Sequence, residues 1–459
     1  MALNEYSDKD PQQVSTIRIS SGQSNVFPFI LLALEVDMVQ QEKEEYAALI
    51  GIDWADQQHD YCLGMIGTDT VEIGVIASRP EDVAAWINQL RKRFKGQRVA
   101  ICLESSKGAL MHQLMSVEFI DLYPINPQAL AHFRKAFAVS GAKDDPTDAQ
   151  LMWEYLLKHQ DRLRVWKPED VDTRMLALLA EDRRKMLDLR TKLSNKLTAT
   201  LKGYFPQALE LIGTKVASPM ACDFLQKWTW LGAIKKCRNH TLRNFYTQHQ
   251  VRNRTKIEAR LTLIRDSIPL VEDAAIVETS ALKVKALSRQ IACLNEDIDD
   301  YERRIAKLFA AHPEHDLFDA LPGAGPALAP RLLVAMGTDR ERFLTSDEVA
   351  NFVGIAPVTE RSGQHTWVHW RLACSKFVRQ TFHEFANMSR HQSAWANAYY
   401  EAQRARGKSH HAALRALAFK WIRIIYRCWK QQEVYDEAKY LAALEKRNSP
   451  LVKLMAEAA

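Results

Sequence analysis

The sequence predicts an α/β domain at its N-terminal end, a long helical arm in the middle and a mainly helical C-terminal domain. Three observations predict this. Short apolar segments alternate with helical periodicity between residues 46 and 165. An apolar seam with steps of four and three runs from Leu287 to Leu308. Positive charge is segregated: residues 321 to 459 carry twenty Lys and Arg against twelve Asp and Glu, and residues 205 to 256 carry nine against two. The whole chain is only +6, so the remainder is net acidic. Two basic surfaces on such a chain imply polyanionic partners.

At 459 residues the chain calls for two or three domains of roughly 100 to 200 residues each. Its 47% hydrophobic and 26% charged residues exclude disordered and fibrous classes. Seven cysteines without a Cys-x-x-Cys pair argue against a disulfide framework and a zinc module, and fit a reducing cytoplasm. The longest apolar run, VFPFILLALEV at 26 to 36, is too short to span a bilayer and lacks a basic start, so no membrane or export signal is expected. Regular structure is expected to begin after Met38, which makes residues 1 to 45 an N-terminal extension, dispensable through residue 37.

The elements follow in order. YAALIGIDW (46 to 54) reads as a buried strand and DYCLGMIG as its hairpin partner. PEDVAAWINQLRKRF has helical periodicity after a Pro-Glu-Asp start, and RVAICLE (98 to 104) and IDLYPIN (120 to 126) are further strands. This alternation sets an α/β domain at 46 to 165. The arm, 166 to 312, joins a looser stripe of Met175, Leu179, Met186, Leu189, Leu193 and Leu197 to the seam of Leu287, Ile291, Leu294, Ile298, Tyr301, Ile305 and Leu308. The seam has the a/d spacing of an antiparallel coiled coil.

Between the two limbs lies the basic insert, 205 to 256, with Trp228, Trp230, Phe245 and Tyr246 among Lys235, Lys236, Arg238 and Arg243. Either the aromatics stack on unpaired bases beside phosphate-neutralising cations, or they form the core of a small helical tip with a solvated basic face. The last domain, 313 to 459, opens with LPGAGPALAP, which reads either as a turn whose backbone N–H groups suit a phosphate or simply as a tight turn with few side chains.

Two readings compete for SGAKDDPTDA. Asp145, Pro146 and Asp148 are what a helix start requires: an N-cap, Pro at the first position and an acid reaching back. Asp53 and Glu104, however, end the first and third apolar strands, where an unpaired carboxylate is costly and where α/β sheets bind ligands. Four carboxylates brought together there are tolerable only around cations, and oxygen-only ligands select Mg²⁺ or Mn²⁺.

These residues carry a resemblance. Asp53 in GIDWA, Glu104 in CLES, and Asp145 and Asp148 in SGAKDDPTDA, with NPQALAHFRKAF between, resemble the RuvC-like (RNase H-like) DEDD domain of the Piv-type recombinases and insertion-sequence transposases, the family conventionally numbered one-ten. PGAGP, GIAPVTERSG and RLACSKFVRQTFHEFA are similar to its C-terminal transposase domain. The resemblance spans about residues 46 to 440 and leaves the insert outside any motif. It implies a transposase that cuts and rejoins donor and target DNA, with Asp53, Glu104, Asp145 and Asp148 holding metal and Ser362 forming a phosphoserine intermediate. It also implies a structured guide RNA and a homodimer or homotetramer.

Taken alone, Ser362 is an ordinary Ser-Gly turn residue, and Ser375 reads as a helix cap. No His-Asp partner stands at a telling spacing from Ser362, and His365, His369, His410 and His411 show no metal spacing. Arg361, Arg371, Lys376, Arg379 and Arg390 are expected to contact backbone phosphates near the serine, and Lys235, Lys236, Arg238 and Arg243 to contact nucleic acid from the insert. The rival readings are a RuvC-like nuclease or junction resolvase that hydrolyses DNA with water, and a binding scaffold whose acids only cap helices.

Overall fold

The computed structural model describes residues 15–18, 46–68, 70–104, 108–137, 145–363 and 365–458, and the chain divides into two units, 1–168 and 169–459. The first unit is built on one mixed sheet. Its strands are β1 (Ser15–Arg18), β2 (Ala48–Asp53), β3 (Gln58–Met65), β4 (Thr70–Ala77), β5 (Val99–Leu103) and β6 (Ile120–Pro124), in the order β1-β4-β3-β2-β5-β6. β2 and β3, β3 and β4, and β1 and β4 are antiparallel, whereas β2, β5 and β6 run parallel. β5 is buried throughout and β2 everywhere but at Asp53, which is why both read as nearly continuous apolar runs.

Helices cover both faces. Val83, Trp86 and Leu90 of α1 (Pro80–Arg93) and Leu110 and Leu114 of α2 (Ala109–Leu114) pack with Ile50, Ile52, Ile101 and Leu103. Leu130 and Phe133 of α3 (Pro127–Phe137) and Met152 and Trp153 of α4 (Asp145–His159) pack with Leu49, Cys62, Ala100 and Cys102 on the opposite face. Two strands depart from expectation. β4 was not foreseen, and Ser15–Arg18 pairs as an edge strand inside the stretch read as an extension outside the fold.

In the second unit, α5 (Val171–Tyr204) and α11 (Ala274–Ala310) run antiparallel along each other: Arg183 Nε meets Glu302 at 3.0 Å, and Arg190 Nη1 meets Asn295 Oδ1 at 2.9 Å. The seam on α11 holds, with Leu287, Ile291, Leu294, Ile298 and Ile305 buried. The stripe on α5 holds only in part: Met175 and Leu189 are exposed, Leu197 is buried, Leu179 and Leu193 pack half-buried, and the other buried positions are Thr173, Leu176, Ala180, Leu201 and Tyr204. The reason is that α5 serves two cores: Leu176 and Ala180 pack with the C-terminal helices, Leu197 and Leu201 with the insert.

The insert folds as α6 (Gln207–Ile212), α7 (Pro219–Lys227), α8 (Leu231–Lys235), α9 (Asn239–Gln248) and α10 (Arg254–Asp266). Trp228, Phe245 and Tyr246 are buried in their common core, so base stacking by these three is ruled out in this arrangement; Trp230 remains partly exposed. Beyond α11 come α12 (His315–Asp319), α13 (Gly325–Met336), α14 (Ser346–Phe352), the hairpin β7 (Val358–Ser362) and β8 (His365–His369), and helices α15 (Lys376–Ser389), α16 (Ala394–Ala405), α17 (His410–Gln431), α18 (Glu437–Lys446) and α19 (Pro450–Ala458). Trp395, Trp421, Trp429, Phe382 and Phe385 fill their core. Among the described residues no helix is long and apolar enough to cross a membrane, and all seven cysteines are free thiols.

Candidate active site and nucleic-acid interface

Alternation along the strands decides where the acids of the first unit point. β2 and β5 are in parallel register with Ile52 opposite Leu103, so Asp53 and Glu104 follow that pair side by side at the C-terminal ends of adjacent strands. Leu49 and Cys102, of the same parity, belong to the core beneath α3 and α4, so both carboxylates belong to that face. α4 lies directly on it. A side chain on Gly51 would overlap the Ala149 carbonyl oxygen and the Trp153 amide, so glycine is what lets the helix backbone approach. Asp148 precedes Ala149 by one residue and Asp53 follows Gly51 by two, so both acids lie within a few residues of this close approach on one face of the sheet.

Asp148 is 5% exposed, and its Oδ1 accepts from the Arg134 guanidinium on α3. The Arg134 Nε is buried with no partner of its own. Asp145 opens α4, but its side chain lies outside the described residues. Asp60 was missed by sequence reasoning. It is 6% exposed and stands directly opposite Asp53 in the β2–β3 ladder, a position visible only once the hairpin register is known. Beside it, burial holds the His59 imidazole below its ordinary value, keeping Nδ1 as an acceptor for the Ala55 N–H at 3.4 Å in the turn after Asp53.

As they stand, no three His, Cys, Asp or Glu side chains among the described residues come close enough to hold a metal ion. Asp148 is neutralised by Arg134 instead, and Glu104 is exposed.

The second candidate centre is the β7–β8 hairpin, with Ser362 and His365 as the pair that closes its turn and Gly363 at φ +59°. Residues 359–363 and 365–370 are exposed, including Trp367 and Trp370, the latter covered by the Arg415 guanidinium 3.6 Å from the ring centre. Arg361 and Lys376 are open to solvent. Arg371 donates to Asn351 at 2.9 Å, Arg379 to the Arg371 carbonyl at 3.0 Å, and Arg390 to Asn387 at 3.0 Å, so these three brace the hairpin's foot and α15. Ser375 caps α15 by accepting the Val378 N–H at 3.4 Å, as expected.

At the Pro-Gly turn the structure favours the plain tight turn. Gly323 sits against the Met388–Ser389 backbone and its N–H donates to Gln392 Oε1 at 2.8 Å, so this amide is engaged within the protein rather than open to a phosphate. On the insert, Lys235, Lys236, Arg238 and Arg243 are exposed, with Arg243 forked onto Glu258 at 2.7 and 2.9 Å.

Two family models match this chain. A DEDD transposase model named for IS110 covers residues 50–206, and a model described as the transposase IS116/IS110/IS902 family covers residues 315–401. The first takes in Asp53, Glu104, Asp145 and Asp148, and the second Ser362. The chain belongs to the IS110/IS116/IS902 transposase family. Similarity extends beyond those segments. The chain is 26% identical to the mini-circle putative transposase for IS117 of Streptomyces coelicolor, over 88% of this chain and 98% of that one. It is 25% identical to the insertion element IS110 uncharacterized 43.6 kDa protein of the same organism, over 64% of this chain and 72% of that one. To the putative transposase y4uE of Sinorhizobium fredii it is 29% identical over 35% of this chain and 45% of that one. Transposases act on DNA, and the segregated basic charge of this chain is of the kind that suits a polyanionic partner.

Proposed function

We propose that this transposase cuts and rejoins DNA strands through a phosphoserine formed by Ser362, in a reaction that also uses Mg²⁺ or Mn²⁺ held by Asp53, Glu104, Asp145 and Asp148. The observation that supports the reading is the shared face: Asp53 and Glu104 stand side by side at the ends of adjacent parallel strands, and α4, which bears the other two acids, packs on that face at Gly51. A RuvC-like fold is supported by the strand order, with three antiparallel strands on one side of β2 and two parallel strands on the other.

The donor set fits a hard divalent cation, since every group is a carboxylate oxygen. Such an ion, when bound, neutralises phosphate oxygens and makes phosphorus a better target for an alkoxide. The protein's own part is to supply and release Asp148. Arg134 pairs with that carboxylate in its buried position, and the pair must open before Asp148 can turn to a cation. Ser362, exposed beside Gly363, has room for a backbone phosphate, and Arg361 and Lys376 supply charge for the phosphates near it.

A structured guide RNA fits the second basic surface. Lys235, Lys236, Arg238 and Arg243 rim a helical tip in which Trp228, Phe245 and Tyr246 are buried and Trp230 is partly exposed, which favours phosphate contacts with folded RNA over a base-stacking platform. The seam of α5 and α11 is read as a coiled-coil arm, and the outward Met175, Leu178 and Leu189 favour association of copies into a dimer or tetramer.

The test uses purified full-length protein with labelled duplex DNA spanning the ends of the encoding element, in Mg²⁺. Wild type forms an adduct that survives detergent. Ser362→Ala abolishes it, and Asp148→Asn abolishes both adduct and strand cleavage with the fold intact. Adducts in Ser362→Ala, or cleavage by wild type with no adduct, overturn the reading, the second in favour of a hydrolytic nuclease.

A further inference from the structure

The β7–β8 ladder sets a proton acceptor against the candidate nucleophile. Ser362 and His365 are directly opposed across the turn. Opposed residues in an antiparallel ladder project to one face with Cβ atoms about 4.5 to 5.5 Å apart, which lets an imidazole reach a serine hydroxyl. The sequence hid this pairing, because a spacing of three residues means nothing until the chain reverses between them.

The rest of that face fixes the imidazole. Trp367, the next residue of the same parity on β8, stacks on His365 with centroids 5.9 Å apart and planes 26° from parallel. Glu360, opposite Trp367, is drawn along the ladder to His369 Nε2 at 3.4 Å. Arg361 has the other parity and belongs to the reverse face. His365 is thus the titratable side chain set against the serine on its own face, with an aromatic plane restricting its swing.

We propose that His365 is a catalytic residue of the strand-transfer reaction, carrying the proton of Ser362. This rests on Ser362 being the nucleophile. As the Oγ–P bond forms and the bond from phosphorus to the sugar oxygen breaks, the Oγ proton passes to the imidazole and from it to the departing sugar oxygen, which leaves as a hydroxyl. Rejoining runs the same path backwards: an incoming hydroxyl gives its proton to His365, and Ser362 takes it on release. No other reactant is consumed, and imidazole is suited to both directions because one ring nitrogen can accept and later return a proton.

The experiment measures the rate of detergent-stable adduct formation by the full chain on labelled duplex DNA spanning the ends of the encoding element, in Mg²⁺. His365→Ala is expected to slow the rate by about 100-fold or more, the usual worth of a positioned acid–base group. Millimolar free imidazole is expected to recover at least about tenfold of that in His365→Ala, whereas a merely structural role gives no rescue. A wild-type rate in His365→Ala, or a loss that imidazole leaves untouched, overturns the proposal. Failure of the underlying reading looks different: adducts would then persist in Ser362→Ala, whatever His365→Ala does.

Discussion

Replacing Arg134 by glutamine removes the cation that neutralises Asp148, and the size of the effect follows from burial. The Arg134 and Asp148 side chains are 22% and 7% exposed, so the pair lies well inside the first unit. Removing one partner of a buried pair costs about 3 to 5 kcal/mol, because the other charge is stranded; residual access at Arg134 argues for the lower end, about 3 kcal/mol. Asp148→Asn strands the guanidinium instead and costs about the same, whereas the double variant leaves two amides and recovers about 1 to 3 kcal/mol of the summed loss. For a unit of this size, 3 kcal/mol lowers the midpoint by about 6 to 12 °C. The assay is thermal unfolding in EDTA and again with 1 mM Mn²⁺ as the added cation. Because Asp148 no longer has to leave a guanidinium in Arg134→Gln, Mn²⁺ is expected to raise the midpoint more in that variant than in wild type. An unchanged midpoint in EDTA, strictly additive losses, or a smaller Mn²⁺ shift in Arg134→Gln would refute the reasoning.

Other consequences are as direct. Gly51→Val is expected to push α4 off β2, costing about 1 to 3 kcal/mol in urea unfolding, with DNA cleavage falling more than stability because the strand end and helix start move apart. Asp170, the N-cap of α5, accepts from Thr173 N at 2.9 Å and Thr173 Oγ at 2.6 Å. Burial alone would raise its pKa, but these bonds and one from Thr338 prevail and hold it below the ordinary carboxylate value. Its contribution is therefore present above the unfolded-state value and lost as pH falls through the lower folded value. Asp170→Ala is expected to cost about 1 kcal/mol at neutral pH and progressively less below about pH 3.9, read from unfolding curves across pH. Replacing Lys235, Lys236 and Arg238 by alanine is expected to weaken binding of structured RNA and flatten its log K against log salt slope by about 2, measured by filter binding.

Much of this architecture was legible because buried strands and seams leave strong patterns. ALIGI and VAICL are apolar without a break because both faces are covered, and Leu287, Ile291, Leu294, Ile298 and Ile305 of the α11 seam are buried as its spacing demands. β4 was obscured by its own surroundings: Gly74 reads as a breaker, and Val75 is 39% exposed, so its alternation looks broken. The α5 stripe held only in part because one helix packs into two cores with different faces, which no single period describes. The insert's aromatics read equally well as a base-stacking set or a core, and only packing with Leu211, Ile234 and Leu242 decided for the core at Trp228, Phe245 and Tyr246.

The candidate site divides along the same line. Asp53 and Glu104 could be found because a carboxylate at the end of an apolar strand is itself anomalous. Asp60, Arg134 and His365 could not, because each gains its meaning from a residue brought near by pairing or packing: Asp53 across a hairpin, Asp148 between two helices, Ser362 across a turn. Their side chains are unremarkable until the register exists.

The most direct test of the central claim is chemical. Adducts formed on labelled DNA in Mg²⁺ are digested with nuclease and protease, and the peptide that retains phosphate and nucleotide is sequenced by mass spectrometry. The account predicts one modified peptide, with the phosphodiester on Ser362. A phosphodiester on Ser375 or any other residue, or complete strand exchange with no modified peptide, would contradict it.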